Sequence, residues 1–346
     1  MPSIPQEDPP QQDKMPGRFH AAPPPIIRRI MSPPAIISIA LAALFLVFIV
    51  TRFNIDLGAI WTQVTGLNPL ILALAVGVHY TTFIFRGARW RLLLQNASPH
   101  NALVPGVVYC SQLVLLGWFA NSVGWLRLGD AYRAYLYREE HKGSFSRTIG
   151  TILAERALDT ILVALLLLAS APFLLDSSDR LTWIVMVLSI SMVAGLAVIL
   201  AAMTWARDLL LRRLPPFLSI RYERFYSGTM GSFQRLPEAT VWGLLGWAAE
   251  IGRMYLVVKA LGLDISLDIV VFLTLANSLL TLVPTPGGIG AVESGVGGLA
   301  VRLSSLTATA AAALVLIDRA ITYVSVILLG AVLFVSRQII RGSQAA

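Results

Sequence analysis

Blocks of consecutive apolar residues constrain this chain more than any other feature. Each runs for roughly twenty residues, the length that crosses a bilayer. They fall at about 35–51, 69–85, 104–125, 149–175, 181–205, 240–263, 267–283 and 307–335. Charged residues make up only 13% of the chain, whereas soluble domains are nearer about a quarter charged. We therefore predict an all-α polytopic membrane helix bundle with eight apolar segments and no soluble catalytic domain of its own.

The polar stretches divide the chain into regions. Residues 1–34 hold ten of the nineteen prolines and no apolar run, so we predict a disordered cytoplasmic tail. Residues 35–340 form the predicted membrane domain, and 341–346 form a short C-terminal tail. Within the domain, two halves at about 69–175 and 240–335 are joined by a basic connector at about 206–238, which we expect to lie on the cytoplasmic surface.

Two of the apolar blocks end in residues that interrupt helices. One ends with Asn121, Ser122 and Gly124, and another runs into Pro284-Thr285-Pro286-Gly287-Gly288-Ile289-Gly290. Proline and glycine do not continue a helix. Broken backbone at membrane depth is tolerated only where it is buried in protein or lines a wet cavity. We therefore predict about six spans plus two re-entrant, or discontinuous, helices.

The positions of the basic residues predict the orientation. With the N-terminus inside, the arginine groups fall on the cytoplasmic side: Arg28 and Arg29; Arg86, Arg89 and Arg91; Arg127 to Arg147; Arg207 to Arg235; Arg337 and Arg341. This asymmetry is typical of cytoplasmic loops. It assigns the net charge of +8 to membrane topology and anionic lipid, with no nucleic-acid partner. We expect a cytoplasmic (inner) membrane protein with both termini in the cytoplasm.

A faint repeat relates the two halves. Phe119-Ala120-Asn121-Ser122 resembles Leu275-Ala276-Asn277-Ser278; Glu155-Arg156 and Asp318-Arg319 follow them, and Arg86 and Arg253 precede them. In the predicted topology the two copies enter the membrane from opposite sides. Inverted repeats with discontinuous helices are typical of transporters, whose substrate site lies at the repeat interface.

Charged residues inside the spans are the main candidates for function, since each is costly in lipid unless paired or wet. They either fix helix packing by pairing with each other or form a polar pathway for a headgroup or proton. The Pro284–Gly290 break and the helix expected to restart near Ala291 predict a concavity with free N–H groups for a phosphate. There Glu293 either caps the helix or is a protonatable group.

The resulting candidate headgroup pathway contains sixteen residues. They are Asn121, Arg127, Asp130, Arg133, Glu155, Arg156, Asp159, Asn277, Pro284, Pro286, Gly287, Gly288, Gly290, Glu293, Asp318 and Arg319. We assign anion capture to Arg127 and Arg156, amide hydrogen bonding to the asparagines, and charge compensation or proton coupling to Glu293 and Asp318.

No cofactor and no metal are expected. His79 is the one histidine within a predicted span, and no second histidine accompanies it at metal-ligand spacing. No nucleophile elbow, Walker loop or dinucleotide fingerprint occurs in the sequence. Movement of a substrate would therefore follow a gradient or be coupled to protons.

Four of these motifs together resemble a known family. They are Arg127-Leu128-Gly129-Asp130 with Arg133, Glu155-Arg156 with Asp159, Pro284–Gly290 with Glu293, and Asp318-Arg319. They are similar to the transmembrane domain of lysylphosphatidylglycerol synthases, also called flippase-like integral membrane proteins, over about 35–335. The resemblance implies a flippase that carries lipid across the membrane.

In multidomain members of that family, a soluble domain after the membrane domain attaches the amino acid. The present sequence ends at Ala346, so we expect no lysyl transfer. It resembles instead the stand-alone flippase-like branch, some of whose members are associated with hopanoid or polyprenyl-linked glycan export.

Three functions stay open from the sequence. The first is translocation, or assisted export, of an amphipathic lipid (a phospholipid, hopanoid or polyprenyl-linked lipid) with an anionic or zwitterionic headgroup. The second is an intramembrane transferase on a lipid or polyprenyl-phosphate carrier, with Glu155 and Asp159 as its carboxylate pair. The third is a non-transporting subunit that partners lipid-biosynthesis enzymes. The sequence predicts no oligomeric state.

The orientation is testable with reporter fusions. Fusions after Arg147 and after Arg235 should both report the cytoplasm, and a fusion near Asp264 should report the outer side, because the arginine-rich segments stay inside. An outer-side signal after Arg147 would turn the first broken block into a full span and remove the argument for an inverted repeat.

Overall fold

The computed structural model describes residues 57–99, 103–124, 128–174, 180–283 and 285–345, all within one compact unit, Leu46–Ala346. The regular elements of these residues are helices: α1 Leu57–Thr65, α2 Pro69–Ala97, α3 Val107–Val123, α4 Gly129–His141, α5 Phe145–Leu174, α6 Arg180–Arg213, α7 Pro216–Ser232, α8 Leu236–Ala260, α9 Leu267–Leu280, α10 Ala291–Leu303, α11 Ala308–Arg319 and α12 Ser325–Ala345. The all-α prediction is confirmed for this part of the chain. The predicted tail 1–34, the block 35–51, Arg127 and Pro284 lie outside it.

Among the residues that the structure describes, four helical stretches are long and apolar enough to cross a membrane. They are Pro69–Ala97, Trp183–Arg213, Pro216–Ala260 and Ala308–Arg337. The two blocks predicted to be broken form shorter apolar helices, Val107–Val123 and Leu267–Leu280. A membrane helix bundle is supported, while the count of six spans and two re-entrant elements stays a prediction.

The predicted connector at 206–238 is helical. Helix α6 continues to Arg213, and α7 then packs along α5. Gly228, Thr229 and Ser232 of α7 are buried, so one face of this segment belongs to the protein interior. The arginines Arg212, Arg213, Arg221 and Arg224 of the segment are exposed, in keeping with its basic character.

The helix break predicted after the seventh apolar block is present. Helix α9 ends at Leu280, a short 3-10 turn covers Pro286–Gly288, and α10 begins at Ala291. Gly287, Gly288 and Gly290 have φ angles of +59°, +72° and +91°, which glycine adopts without the steric penalty of a Cβ. The sequence therefore located the start of α10 correctly.

The two halves share one order of helices. Each has a long helix (29 residues in α2, 25 in α8), a short apolar helix (17 in α3, 14 in α9) and a 13-residue helix (α4 and α10). Each then ends in a long helix, α5 in the first half. In the second half this helix is α11 joined to α12 through a π-helical segment, Ala320–Val324. The inverted symmetry of these halves stays a prediction.

Helices α5 and α7 approach each other at two glycines. A Cβ on Gly150 would meet the carbonyl oxygen of Phe225, and one on Gly228 would meet that of Arg147. Both obstructions are backbone atoms, which cannot turn aside as a flexible side chain can. Gly195 of α6, by contrast, has open space where its Cβ would be.

The close approach predicts a clear effect of one methyl group. Gly150→Ala and Gly228→Ala should each destabilise the protein by about 1–3 kcal/mol, the usual cost of overpacking. Thermal unfolding in detergent, followed by size-exclusion chromatography, would measure the loss. Gly195→Ala is the control and should keep or slightly raise the midpoint, because alanine favours the helix. Equal behaviour of all three variants would contradict the close α5–α7 contact.

Candidate functional site

The dipeptide Glu155-Arg156 of α5 links three helices. Glu155 accepts hydrogen bonds from Arg89 of α2 (Nη2–Oε1 3.3 Å) and Arg133 of α4 (Nη2–Oε2 2.6 Å). Arg156 donates through Nε and Nη2 to Asp130 in the first turn of α4, at 3.0 and 2.8 Å. The acid and the arginine thus bind different residues: Glu155 joins α5 to α2 and α4, and Arg156 joins α5 to the start of α4.

The dipeptide Asp318-Arg319 of α11 has the same arrangement in the second half. Asp318 pairs with Arg253 of α8. Arg319 donates to Glu293 in the first turn of α10 (Nε–Oε1 2.7 Å) and to the carbonyl oxygen of Gly287 (2.7 Å). Each acid binds an arginine of the long helix that opens its half, and each arginine binds an acid that begins the 13-residue helix.

The spacing of these pairs along the chain repeats as well. In the chain, Asp130 precedes Arg156 by 26 residues, and Glu293 precedes Arg319 by the same number. Arg89 precedes Glu155 by 66 residues, and the separation of Arg253 and Asp318 in the sequence is one residue shorter. The sequence comparison of the halves placed Arg86 opposite Arg253. In the structure, Arg89 is the arginine of α2 that binds the dipeptide acid, as Arg253 is in α8.

Arg86 instead binds a second acid of α5. Its Nη1 donates to Asp159 at 3.2 Å, and Arg89 donates to the same carboxylate at 2.8 and 2.9 Å. The Arg86 guanidinium lies 5.3 Å from the ring centroid of Trp118 and 5.6 Å from that of Trp247, within cation–π range. Arg86 and Arg89 are only 7% and 1% exposed. Helix α2 continues past both and buries them within the protein, while their assignment to the cytoplasmic side stays a prediction.

The described charges of this region form one balanced set, which we call the charged network. It contains six arginines (Arg86, Arg89, Arg133, Arg156, Arg253 and Arg319) and six carboxylates (Asp130, Glu155, Asp159, Glu250, Glu293 and Asp318). A single uncompensated charge at the bilayer centre costs about 2.5–3.5 kcal/mol on insertion scales. Mutual compensation lets these residues occupy apolar helices.

A cavity of about 200 Å³ lies beside the charged network. Both halves contribute to its wall, together with Met192 of α6. The charged residues of the wall are four arginines (Arg86, Arg156, Arg253 and Arg319) and two acids (Asp159 and Glu250), and its aromatic residues are Trp118, Trp247 and Tyr323. The four remaining carboxylates of the network are not among the residues that line the cavity, so arginine predominates among the charged residues of the lining.

The predicted pathway residues divide between the wall and its support. Asn121, Arg156, Asp159, Asn277, Gly287 and Arg319 line the cavity. Seven other predicted residues are not part of the lining: Asp130, Arg133, Glu155, Gly288, Gly290, Glu293 and Asp318. For Pro286 the structure describes only the backbone, and Arg127 and Pro284 fall outside the described residues. The candidate headgroup pathway did not include six charged or aromatic residues that line the cavity, namely Arg86, Trp118, Trp247, Glu250, Arg253 and Tyr323. The repeated spacings of the ion pairs were a sequence signal for Arg253.

Two amides of the glycine break are bonded within the chain. The amide of Gly288 donates to the carbonyl oxygen of Thr285 (3.1 Å), and that of Gly290 donates to the Glu293 carboxylate (2.5 Å). Of the two roles weighed for Glu293, the structure has it capping α10. The anion concavity expected at this break stays a prediction, and the Glu293 carboxylate already occupies one of its amides.

Tyr323 of the π-helical segment connects the ends of both broken helices. Its hydroxyl donates to the carbonyl oxygen of Ser122 near the end of α3 (2.9 Å), and a Cβ on Gly287 would collide with its ring. Asn121 accepts a hydrogen bond from the amide of Gly129 (2.8 Å) and so joins α3 to the start of α4. π-helical turns are frequent at functional sites. Within the described ranges, no three histidine, cysteine or carboxylate side chains come together as metal ligands would.

Comparison with known proteins identifies a family for this sequence. The sequence matches the family described as the lysylphosphatidylglycerol synthase TM region over residues 35–330. The chain belongs to this family. The resemblance found from the motifs is therefore confirmed, and a role connected with membrane lipid fits.

The curated relatives are named as membrane proteins. A UPF0104 membrane protein of Methanocaldococcus jannaschii is 29% identical over 235 residues, which cover 64% of this chain and 97% of the relative. Two UPF0104 membrane proteins of Methanothermobacter thermautotrophicus are 27% and 24% identical, covering 76% and 82% of this chain and 82% and 88% of their own lengths. No solved structure matches the chain.

The pairing pattern predicts which double variants are coupled. Glu293→Gln and Arg319→Gln each remove one member of the same ion pair. Their effects on the unfolding free energy should therefore be non-additive by more than about 1 kcal/mol. Asp318→Asn with Arg319→Gln is the control cycle, since these neighbours bind different partners, and its coupling should be smaller than that of the Glu293–Arg319 cycle. SDS titration of the protein in mixed micelles measures both cycles. Strong coupling in the control cycle would contradict the separate pairs.

Proposed function

We propose that this protein moves an amphipathic lipid between the leaflets of the membrane, or assists its export. The observation that carries the proposal is the cavity itself, with charged walls inside helices that are otherwise apolar. A lipid headgroup is expensive to bring into hydrocarbon, because its polar atoms lose their water. A charged cavity between apolar helices replaces part of that water, while the tails stay in the bilayer.

The helices around the cavity support movement as well as binding. Two short helices, α3 and α9, end beside it, and their ends carry Asn121 and Asn277 of the wall. Discontinuous helices at a substrate site are typical of transporters that alternate access by moving one half against the other. In this proposal the two asparagines hydrogen-bond the headgroup, and Arg156 and Arg319 attract its charge.

The transferase alternative is less well supported by the contacts of its two acids. Glu155 is held by Arg89 and Arg133, and Asp159 by Arg86 and Arg89. A general base needs a lone pair directed at the substrate proton. Carboxylates engaged by two arginines each are better suited to structural compensation than to proton abstraction.

A test of the pathway should fill the cavity without removing a charge. Ser278 lines the cavity, so Ser278→Phe should lower transbilayer movement at least ten-fold by occluding it. The assay uses purified protein in liposomes, a fluorescent phospholipid and a membrane-impermeant quencher added outside. Ser191→Phe is the matched control, because Ser191 is exposed on α6, and it should move lipid at the rate of the unchanged protein.

The same experiment separates the three functions. Lipid movement without a new lipid species supports translocation, and full movement in Ser278→Phe would show that this cavity is not the route. A new covalent lipid product, detected by mass spectrometry of the extracted lipids, would favour the transferase. Absence of both in the unchanged protein would favour the non-transporting subunit.

A further inference from the structure

We infer that the cavity binds lipids whose headgroup presents an anionic phosphate without a compensating amine. We further infer that Asp130 and Glu293 hold Arg156 and Arg319 in place until that phosphate replaces them. This inference rests on the proposed function, since it names the substrate class of the same cavity. It does not use the glycine break, whose Gly288 and Gly290 amides are already bonded within the chain.

The charge of the wall favours an anion. Four arginines and two acids line the cavity. The other carboxylates of the charged network are not part of the lining. A neutral headgroup would gain no ionic contact here, and a quaternary or primary amine would meet predominantly arginine. A phosphate bearing net negative charge would instead meet mainly arginine, and could pair with one whose carboxylate partner it replaces.

Two of the ion pairs are open enough to exchange partners. The side chains of Arg156 and Asp130 are 36% and 32% exposed, and those of Arg319 and Glu293 are 11% and 22% exposed. The pair between Arg253 and Asp318, at 0% and 4%, is closed. Phosphate oxygens fit the arginine fork as carboxylate oxygens do, so an incoming phosphate can take either open arginine while its acid returns to water.

Three buried polar atoms without partners belong to residues of the same site. Trp247 Nε1, Asn277 Oδ1 and Glu250 Oε1 are buried, and none has a hydrogen-bond partner among the residues that the structure describes. All three residues line the cavity. Buried polar groups are normally bonded, and a headgroup would satisfy these, with a phosphate oxygen accepting from Trp247 and a hydroxyl donating to Asn277 or Glu250.

The size of the cavity limits the headgroup. At about 200 Å³ it is smaller than the roughly 300–1,000 Å³ of pockets that enclose drug-sized ligands. A single phosphate with a small alcohol fits this space.

Lipid binding to the purified full-length chain in detergent tests the substrate class. Native mass spectrometry would compare phosphatidate, phosphatidylglycerol, phosphatidylcholine and diacylglycerol with identical acyl chains. We expect the first two to bind at least ten-fold more tightly than the last two. Equal binding of all four would overturn the inference. Displacement of phosphatidate by millimolar inorganic phosphate would show a site for free phosphate and overturn the lipid assignment.

Variants at the two open pairs should act in opposite directions. Arg156→Gln and Arg319→Gln should lower phosphatidate binding about ten-fold, because each removes a ligand of the phosphate. Asp130→Asn and Glu293→Gln should raise it several-fold, because each releases an arginine. Arg221→Gln removes the same charge from the exposed face of α7 and should change nothing. Weaker binding in all four pair variants would mean that the pairs only support the fold, and would overturn the exchange.

Measuring transbilayer movement of the same lipids separates this inference from the proposed function. Selective phosphatidate binding without movement of any lipid would overturn translocation and leave the phosphate site supported. Movement of phosphatidate and phosphatidylcholine at equal rates, with equal binding, would overturn the substrate class and leave translocation supported.

Discussion

Ion pairs that run from an acid–arginine dipeptide to two other helices hold this membrane domain together. Glu155-Arg156 and Asp318-Arg319 each connect a long helix to another long helix and to the start of a 13-residue helix. Breaking one buried pair typically costs about 3–5 kcal/mol, because the remaining charge stays buried and unpaired. The helices must therefore keep the positions in which all these charges are matched.

A polar cavity lined by residues of both halves lies beside these matched charges. Charges that face one another across helices cannot be packed as tightly as aliphatic side chains, and the space beside them is lined by polar groups of both halves. Pairs at its edge, such as Arg156 with Asp130, are partly exposed, whereas Arg253 and Asp318 are enclosed. Stability can thus reside in the enclosed pairs and ligand exchange in the open ones.

Sequence reasoning was most successful where one short stretch decides the outcome. The glycines of Pro284–Gly290 require backbone that a helix cannot supply, and α10 begins at Ala291 as predicted. It was least successful for Arg86 and Arg89. Their place at the end of an apolar block is typical of a cytoplasmic flank, yet α2 continues to Ala97 and turns both toward α5.

The sequence alone determined that the described part of the chain is an all-α membrane bundle, that two acid–arginine dipeptides lie within its helices, and where one helix breaks. These properties depend on residues that are adjacent or one helical turn apart. Only the tertiary structure decided which charge meets which, that Glu293 caps α10 through the Gly290 amide, and that Arg86 and Glu250 line a cavity. Such pairings depend on the rotation and approach of helices that lie dozens of residues apart along the chain, and apolar patterning does not specify that rotation.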